Sequence, residues 1–225
     1  MVAALFTPGC ERSSARVGGS VQPAEDTAAI RVLFDEAEAC GDRYDCPPMA
    51  KLTARAERPG ETRVLEAAFD IMVDPKVETF ERRFKLASTA ALAWAAARTT
   101  GGHTLSVDDE RVLRAQVMRL LARTDNAVPG HSFVGYLSDA RDILRREVLD
   151  PSRGNDEVHS AIRSLRELEH DMTTVQTWLG AKDERSMVAG GLLLDALDHA
   201  PIRTGDEVAV LLDFARRTDT APEAA

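Results

Sequence analysis

The sequence predicts an all-α protein built from stacked antiparallel helical hairpins, with an irregular helical bundle as the alternative arrangement. Apolar residues return every three or four positions from Asp26 onward, the spacing of one helical face. Runs of β-branched or aromatic residues that would mark strands are few, and aromatics make up only 5% of the 225 residues. Short breaks rich in Pro, Gly, Asn and Asp separate the periodic stretches, so that successive helices are joined by turns.

The first helix carries Ile30, Leu33, Phe34 and Ala37 on one face, and Asp26 or Thr27 can accept the unpaired backbone N–H groups at its start. After Pro47-Pro48, Met49, Leu52 and Ala56 form the stripe of a short helix that Pro59-Gly60 ends. Glu61 to Val73 presents Val64, Leu65, Ala68, Phe69 and Met72. Asp74-Pro75 then opens a new helix, proline suiting the first helical turn, and this one passes through Phe80, Phe84, Leu86, Leu92 and Trp94 to Arg98. Gly101-Gly102 stops it. Val107 to Arg123 follows with Val112, Ala115, Met118 and Leu121 as its stripe. Asn126 to Gly130 reads as a turn, and Phe133 to Val148 as one helix with Leu137, Ala140, Ile143 and Leu144, closed by Asp150-Pro151. Asp156 to Glu169, Met172 to Leu179, Glu184 to Leu197 and Asp206 to Arg217 complete the set.

The chain divides into residues 1–22, a signal remnant and flexible tether; residues 23–217, the helical-repeat domain; and residues 218–225, a disordered tail. Met1 to Cys10 runs from apolar to small, and Gly9-Cys10 resembles the end of a bacterial lipoprotein signal. That resemblance implies lipidation of Cys10 and a periplasmic or cell-envelope location. Thr7 and Pro8 depart from its usual residues, and no Lys or Arg precedes the apolar run; a lipoprotein reading therefore requires a start codon upstream of Met1, which the sequence leaves open. The other reading is a cytoplasmic protein in which Cys10 is incidental.

Cys40 and Cys46 bracket Gly-Asp-Arg-Tyr-Asp, so their thiols can meet across a turn. In an oxidising compartment they are expected to form a disulfide that staples the first helix to the second. Half of a zinc site is the competing reading, but a second cysteine pair is missing and the nearest histidine is His103.

Local wording recurs along the helices. Asp109-Glu110-Arg111-Val112 is followed by Ala115 and Leu120, Asp156-Glu157-Val158 by Ala161 and Leu165, and Asp183-Glu184-Arg185 by Val188 and Leu193. Asp74-Pro75-Lys76-Val77, with Arg82, Ala87 and Leu92, is a looser instance. The pattern resembles the second helix of HEAT-type repeats and extends from about Glu61 to Arg217. It implies an α-solenoid whose curved face binds another protein. The units are uneven, with 46 positions from Val112 to Val158 and 30 from Val158 to Val188, which keeps the bundle in play.

Lys and Arg total 28 against 37 Asp and Glu, a net charge of −9, which excludes the uniform basic face that a nucleic-acid backbone requires. No stretch approaches the roughly 20 apolar residues of a membrane-spanning helix, so a membrane is reached only through a lipid on Cys10. The Gly-rich phosphate loops, His-Glu-x-x-His and Gly-x-Ser-x-Gly are not found, and no catalytic residue, cofactor or metal site is expected.

The sharpest metal-like spacing is Glu167 and His170, three apart, which could supply half of a di-metal centre in a bundle; Asp195 and His199 are the nearest second pair. Both histidines close helices, where a cation suits the dipole. Asp108, Asp109 and Glu110 after Ser106 read as a capped, acidic first turn, and Trp94 and Trp178 as core. The expected function is a non-enzymatic scaffold for an unidentified protein partner. The alternatives are a helical-bundle metal protein or enzyme using Glu167 and His170, and a cytosolic regulatory helical domain.

Overall fold

A computed structural model describes residues 23–41, 46–78, 81–99, 105–123, 128–168 and 172–197. The described residues form α1 (Pro23–Ala39), α2 (Pro47–Ala56), α3 (Arg63–Val73), α4 (Arg82–Ala96), α5 (Val107–Leu121), α6 (Val128–Val134), α7 (Ala140–Leu149), α8 (Asn155–Arg166), α9 (Thr173–Leu179) and α10 (Glu184–Leu197), with no strand among them. Residues 1–22, the segment 206–217 and the tail 218–225 lie outside the described residues.

Each helix packs most extensively on its neighbour in sequence, giving the pairs α1–α2, α3–α4, α5–α6, α7–α8 and α9–α10. The pairs meet through α1–α3, α2–α4, α3–α5, α6–α8 and α8–α10. Such short elements need those neighbours. At seven residues each, α6 and α9 are far below the length at which an isolated helix holds in water. One continuous apolar cluster, from Ile30 to Leu193, runs through all the pairs, and the tilted Phe69–Phe133 rings, 5.0 Å apart, tie α3 to α6.

A second, polar device joins the pairs. The last carbonyls of a helix lack intrahelical partners and carry the negative end of its dipole, so they attract cations. Arg82, opening α4, donates to the Ala37 and Glu38 carbonyls at the end of α1, at 3.0 and 3.2 Å. Arg98, just past α4, donates to Ala56 at 2.8 Å and Arg58 at 2.6 Å, closing α2. Arg123 closes α3 through Met72 at 2.7 Å. Arg153 closes α5 through Leu121 at 2.6 Å and Arg123 at 3.1 Å. Arg185 closes α7 through Val148 and Asp150. In all five the arginine belongs to the pair that follows the helix it closes.

The structure corrects three of the expected elements. The helix expected from Asp74-Pro75 begins at Arg82; Asp74 instead accepts the Lys76 N–H on its own Oδ1 at 3.0 Å, a local turn that competes with helix. The single helix expected over 133–148 is two. Gly135 weakens it, Glu110 of α5 accepts the Ser138 hydroxyl at 2.7 Å, and Arg114 holds Asp139 at 2.7 Å, so the chain turns at 135–139. Gly130, expected in a turn, lies inside α6.

The stripe of α5 is also displaced. Leu113, Val117, Leu120 and Leu121 are buried, whereas Ala115 and Met118 face solvent and Val112 is half-buried. Both stripes have helical spacing, and only packing chooses between them. The acid–valine stretches of α8 and α10 lie on second helices of pairs, the one at Asp109 opens a first helix, and the one at Asp74 precedes α4.

Candidate functional site

The end of α7 and the first turns of α8 and α10 enclose an open crevice of about 300 Å³. Its apolar wall is Val148, Val158, Val188 and Leu192, with Glu184 and His159 also lining it. Val188 and Leu192 are four apart on α10 and so share a face. Val188 is 55% exposed, one of four large apolar side chains so placed among the described residues.

Arg153 and Arg185 line the same crevice and donate to main-chain carbonyls of α5 and α7 and the residues just past them, while the buried Arg153 Nε has no hydrogen-bond partner among the described residues. Besides the α5 carbonyls, Arg153 pairs with Glu147 at 2.9 Å and Glu157 at 3.5 Å. Glu147 in turn meets the buried His131 Nε2 at 3.4 Å. Burial alone would raise the Glu147 carboxyl, yet the hydrogen bonds from His131 and Arg153 and their charges hold it below the ordinary glutamate range. Glu157 accepts the Gly154 N–H at 2.9 Å, closing the α8 N-terminus on itself. Asp150 is held below the ordinary range by the Ser152 hydroxyl and amide, with Arg153 and Arg185 adding to this. Glu184 is exposed and forms no ion pair among the described residues. The crevice thus offers an aliphatic wall beside an uncommitted carboxylate.

Cys40 and Cys46 are present as thiols, without a bond between them. Cys46 is buried ahead of α2, and hydrogen bonding with Cys40 is the main influence that draws its thiol below the ordinary value. Desolvation opposes this, and the Met49 amide and Arg82 reinforce it. Cys10 and His170 lie outside the described residues, as does His199. Glu167 and Asp195 are exposed, on α8's closing residue and on α10. Among the described residues no group of three or more His, Cys, Asp and Glu is arranged to hold a metal ion, and no helix is long and apolar enough to cross a membrane.

Ser106 caps α5 by accepting the Asp109 N–H at 3.1 Å. Trp94 is fully buried, donates from Nε1 to the Glu61 carbonyl and carries the Arg98 guanidinium over its ring, 4.1 Å from the centroid. Trp178 is buried in α9. Sequence reasoning missed the five arginine clamps and the crevice. Each clamp spans 30 or more positions, and nothing local to an arginine tells which carbonyl it will reach.

These observations define the class of the protein: an all-α chain of consecutively paired helices. Comparison with protein-family models, curated proteins and solved structures finds no match.

Proposed function

We propose that the chain is a HEAT-like row of stacked hairpins that serves as a non-enzymatic scaffold, holding a protein partner along the crevice between its last two pairs. The observation that carries this reading is the direction of two recurring valines. Val158 and Val188 each follow an Asp-Glu pair, at different offsets, and both line the crevice, where an apolar side chain gains free energy only when something covers it. The succession of clamps, each from the following pair, supports the stacked order, since it links nearest neighbours in a row.

A photo-activatable benzophenone side chain at position 188, irradiated in the native host, tests the reading. The expected result is a discrete protein adduct formed from 188 and not from 107, an exposed position on α5. Adducts from neither position, or equally from both, would overturn it.

Attachment at the cell envelope through Cys10 is part of the same proposal, supported by Gly9-Cys10 and by the proximity of the Cys40 and Cys46 thiols. Mass spectrometry of native protein is expected to find a lipidated Cys10 as the mature terminus and Cys40 bridged to Cys46. An unprocessed terminus with both thiols free would remove that part.

A further inference from the structure

We infer that Cys40 and Cys46 form a reversible dithiol–disulfide site that exchanges with a low-molecular-weight disulfide of the glutathione type, Cys40 being the sulfur that reacts with it and Cys46 the sulfur that closes the bridge. This rests on the reading of the two thiols as partners in a bridge and adds the co-reactant, the order of attack and the reversibility.

The placement of the two sulfurs carries it. Cys40 directly follows α1 and Cys46 directly precedes α2, and these helices pack on each other as a pair. The junction is held from a third side by α4, which packs on both helices and whose Arg82 donates to the Ala37 and Glu38 carbonyls in the last turn of α1. The same guanidinium lies close enough to Cys46 to favour its thiolate, and the two thiols are in hydrogen-bonding contact. Arg82 and the shared burial of Phe34, Ala37, Met49 and Leu52 hold α1 to α2 independently of any S–S bond, so opening a bridge leaves the sulfurs side by side.

Burial separates their roles. Cys46 is 3% exposed within the apolar cluster, whereas Cys40 is half-buried against it, with its thiol on the Glu36 carbonyl at 3.4 Å. A tripeptide disulfide reaches Cys40 and is shut out from Cys46. The exchange balances. The Cys40 thiolate attacks one sulfur of the glutathione disulfide, that S–S bond breaks, and one glutathione leaves with the electron pair and takes up a proton. The Cys46 thiolate then attacks the Cys40 sulfur, the mixed disulfide breaks, and the second glutathione leaves in the same way. Two protein thiols are oxidised and one glutathione disulfide is reduced to two thiols; excess reduced glutathione drives both steps backward.

Intact-mass measurement and peptide mapping on the full chain test this, all forms carrying Cys10→Ser so that only these two of the three cysteines remain. After reduction and exposure to excess glutathione disulfide, the two-thiol chain is expected to end with Cys40 bridged to Cys46 and to return to the dithiol in excess reduced glutathione. Cys46→Ser is expected to stop at a glutathione adduct on Cys40, and Cys40→Ser to take up glutathione on Cys46 about tenfold more slowly. If Cys46→Ser loses its helical circular dichroism, acid-quenched early samples of the two-thiol chain give the same reading, since their adduct is expected on Cys40. An adduct that forms first on Cys46, equal rates in the two variants, or a bridge that excess reduced glutathione does not open would overturn the inference and leave the bridge itself standing. No bridge at all under excess glutathione disulfide would overturn both.

Discussion

Arg185, in the first turn of α10, donates from both Nε and Nη2 to the carbonyl of Val148 in the last turn of α7, at 3.2 and 3.0 Å across 37 positions of sequence. A planar fork suits this geometry, and an ammonium does not reproduce it. Arg185→Met is expected to lower unfolding stability by about 2 kcal/mol, the scale of hydrogen bonds from a charged donor. Arg185→Lys is expected to recover less than half, and urea titration of the three proteins measures both. Equal stability of the methionine and native forms would show the clamp to be incidental.

Packing of the last pair depends on a residue with no side chain. A Cβ built on Gly190 of α10 would lie 2.9 Å from the Leu179 backbone nitrogen at the end of α9, too close unless the helices part. Gly190→Ala should destabilise by roughly 1–3 kcal/mol, partly offset by alanine's helix propensity. At Gly130 the nearest atom is the Leu121 Cδ2 at 2.6 Å, the end of a side chain that can turn away, and Gly130→Ala should be milder. Thermal melts of the two variants check that order.

Acid should unfold this protein through its paired carboxylates. Glu61, held by Arg63 and Arg55, and Glu110, held by Arg114 and Ser138, lie below the ordinary range in the folded chain, as do Asp139 and Glu147. A folded-state value below the unfolded one means that the unfolded chain binds more protons as acid is added. The stabilisation is therefore complete above the ordinary carboxylate value, about 4, and is lost as pH falls from there toward the lowered values. Urea midpoints should be flat from about pH 6 to 5 and decline below about 4.

Glu147→Gln should cost roughly 2 kcal/mol at neutral pH, because Arg153 and His131 lose a charged acceptor. It should also flatten part of the acid decline. A variant as stable as the native chain at pH 7 would show that the buried pair contributes nothing there.

The lowered Cys46 thiol depends first on hydrogen bonding with Cys40. Cys40→Ala removes that partner and should move Cys46 up toward the ordinary thiol value, so its alkylation by iodoacetamide should slow at neutral pH and recover at higher pH. The pH–rate profiles of Cys40→Ala and of the unsubstituted chain, both fully reduced beforehand so that Cys46 is a free thiol, test this.

Much of the helix inventory was legible because it is local. The stripe of Val64, Leu65, Ala68, Phe69 and Met72, the Ser106 cap and the Pro59-Gly60 break, where Gly60 takes φ 72°, each depend on residues within a turn or two. Positions decided by competition between distant groups were not legible. The stripe of α5 shifts to Leu113 and Val117 because that is the face the core meets, and the turn at 135–139 exists because Glu110 and Arg114 seize Ser138 and Asp139.

By itself, then, the order of residues settled that this is an all-α chain, where most helices run and that its described tryptophans are buried, since backbone propensity and apolar spacing act over a few positions. Only the tertiary structure decided which carbonyls the arginines close and that Val158, Val188 and Glu184 line one crevice. Charge pairing and burial act through space, and the thirty positions between those valines carry no record of their distance.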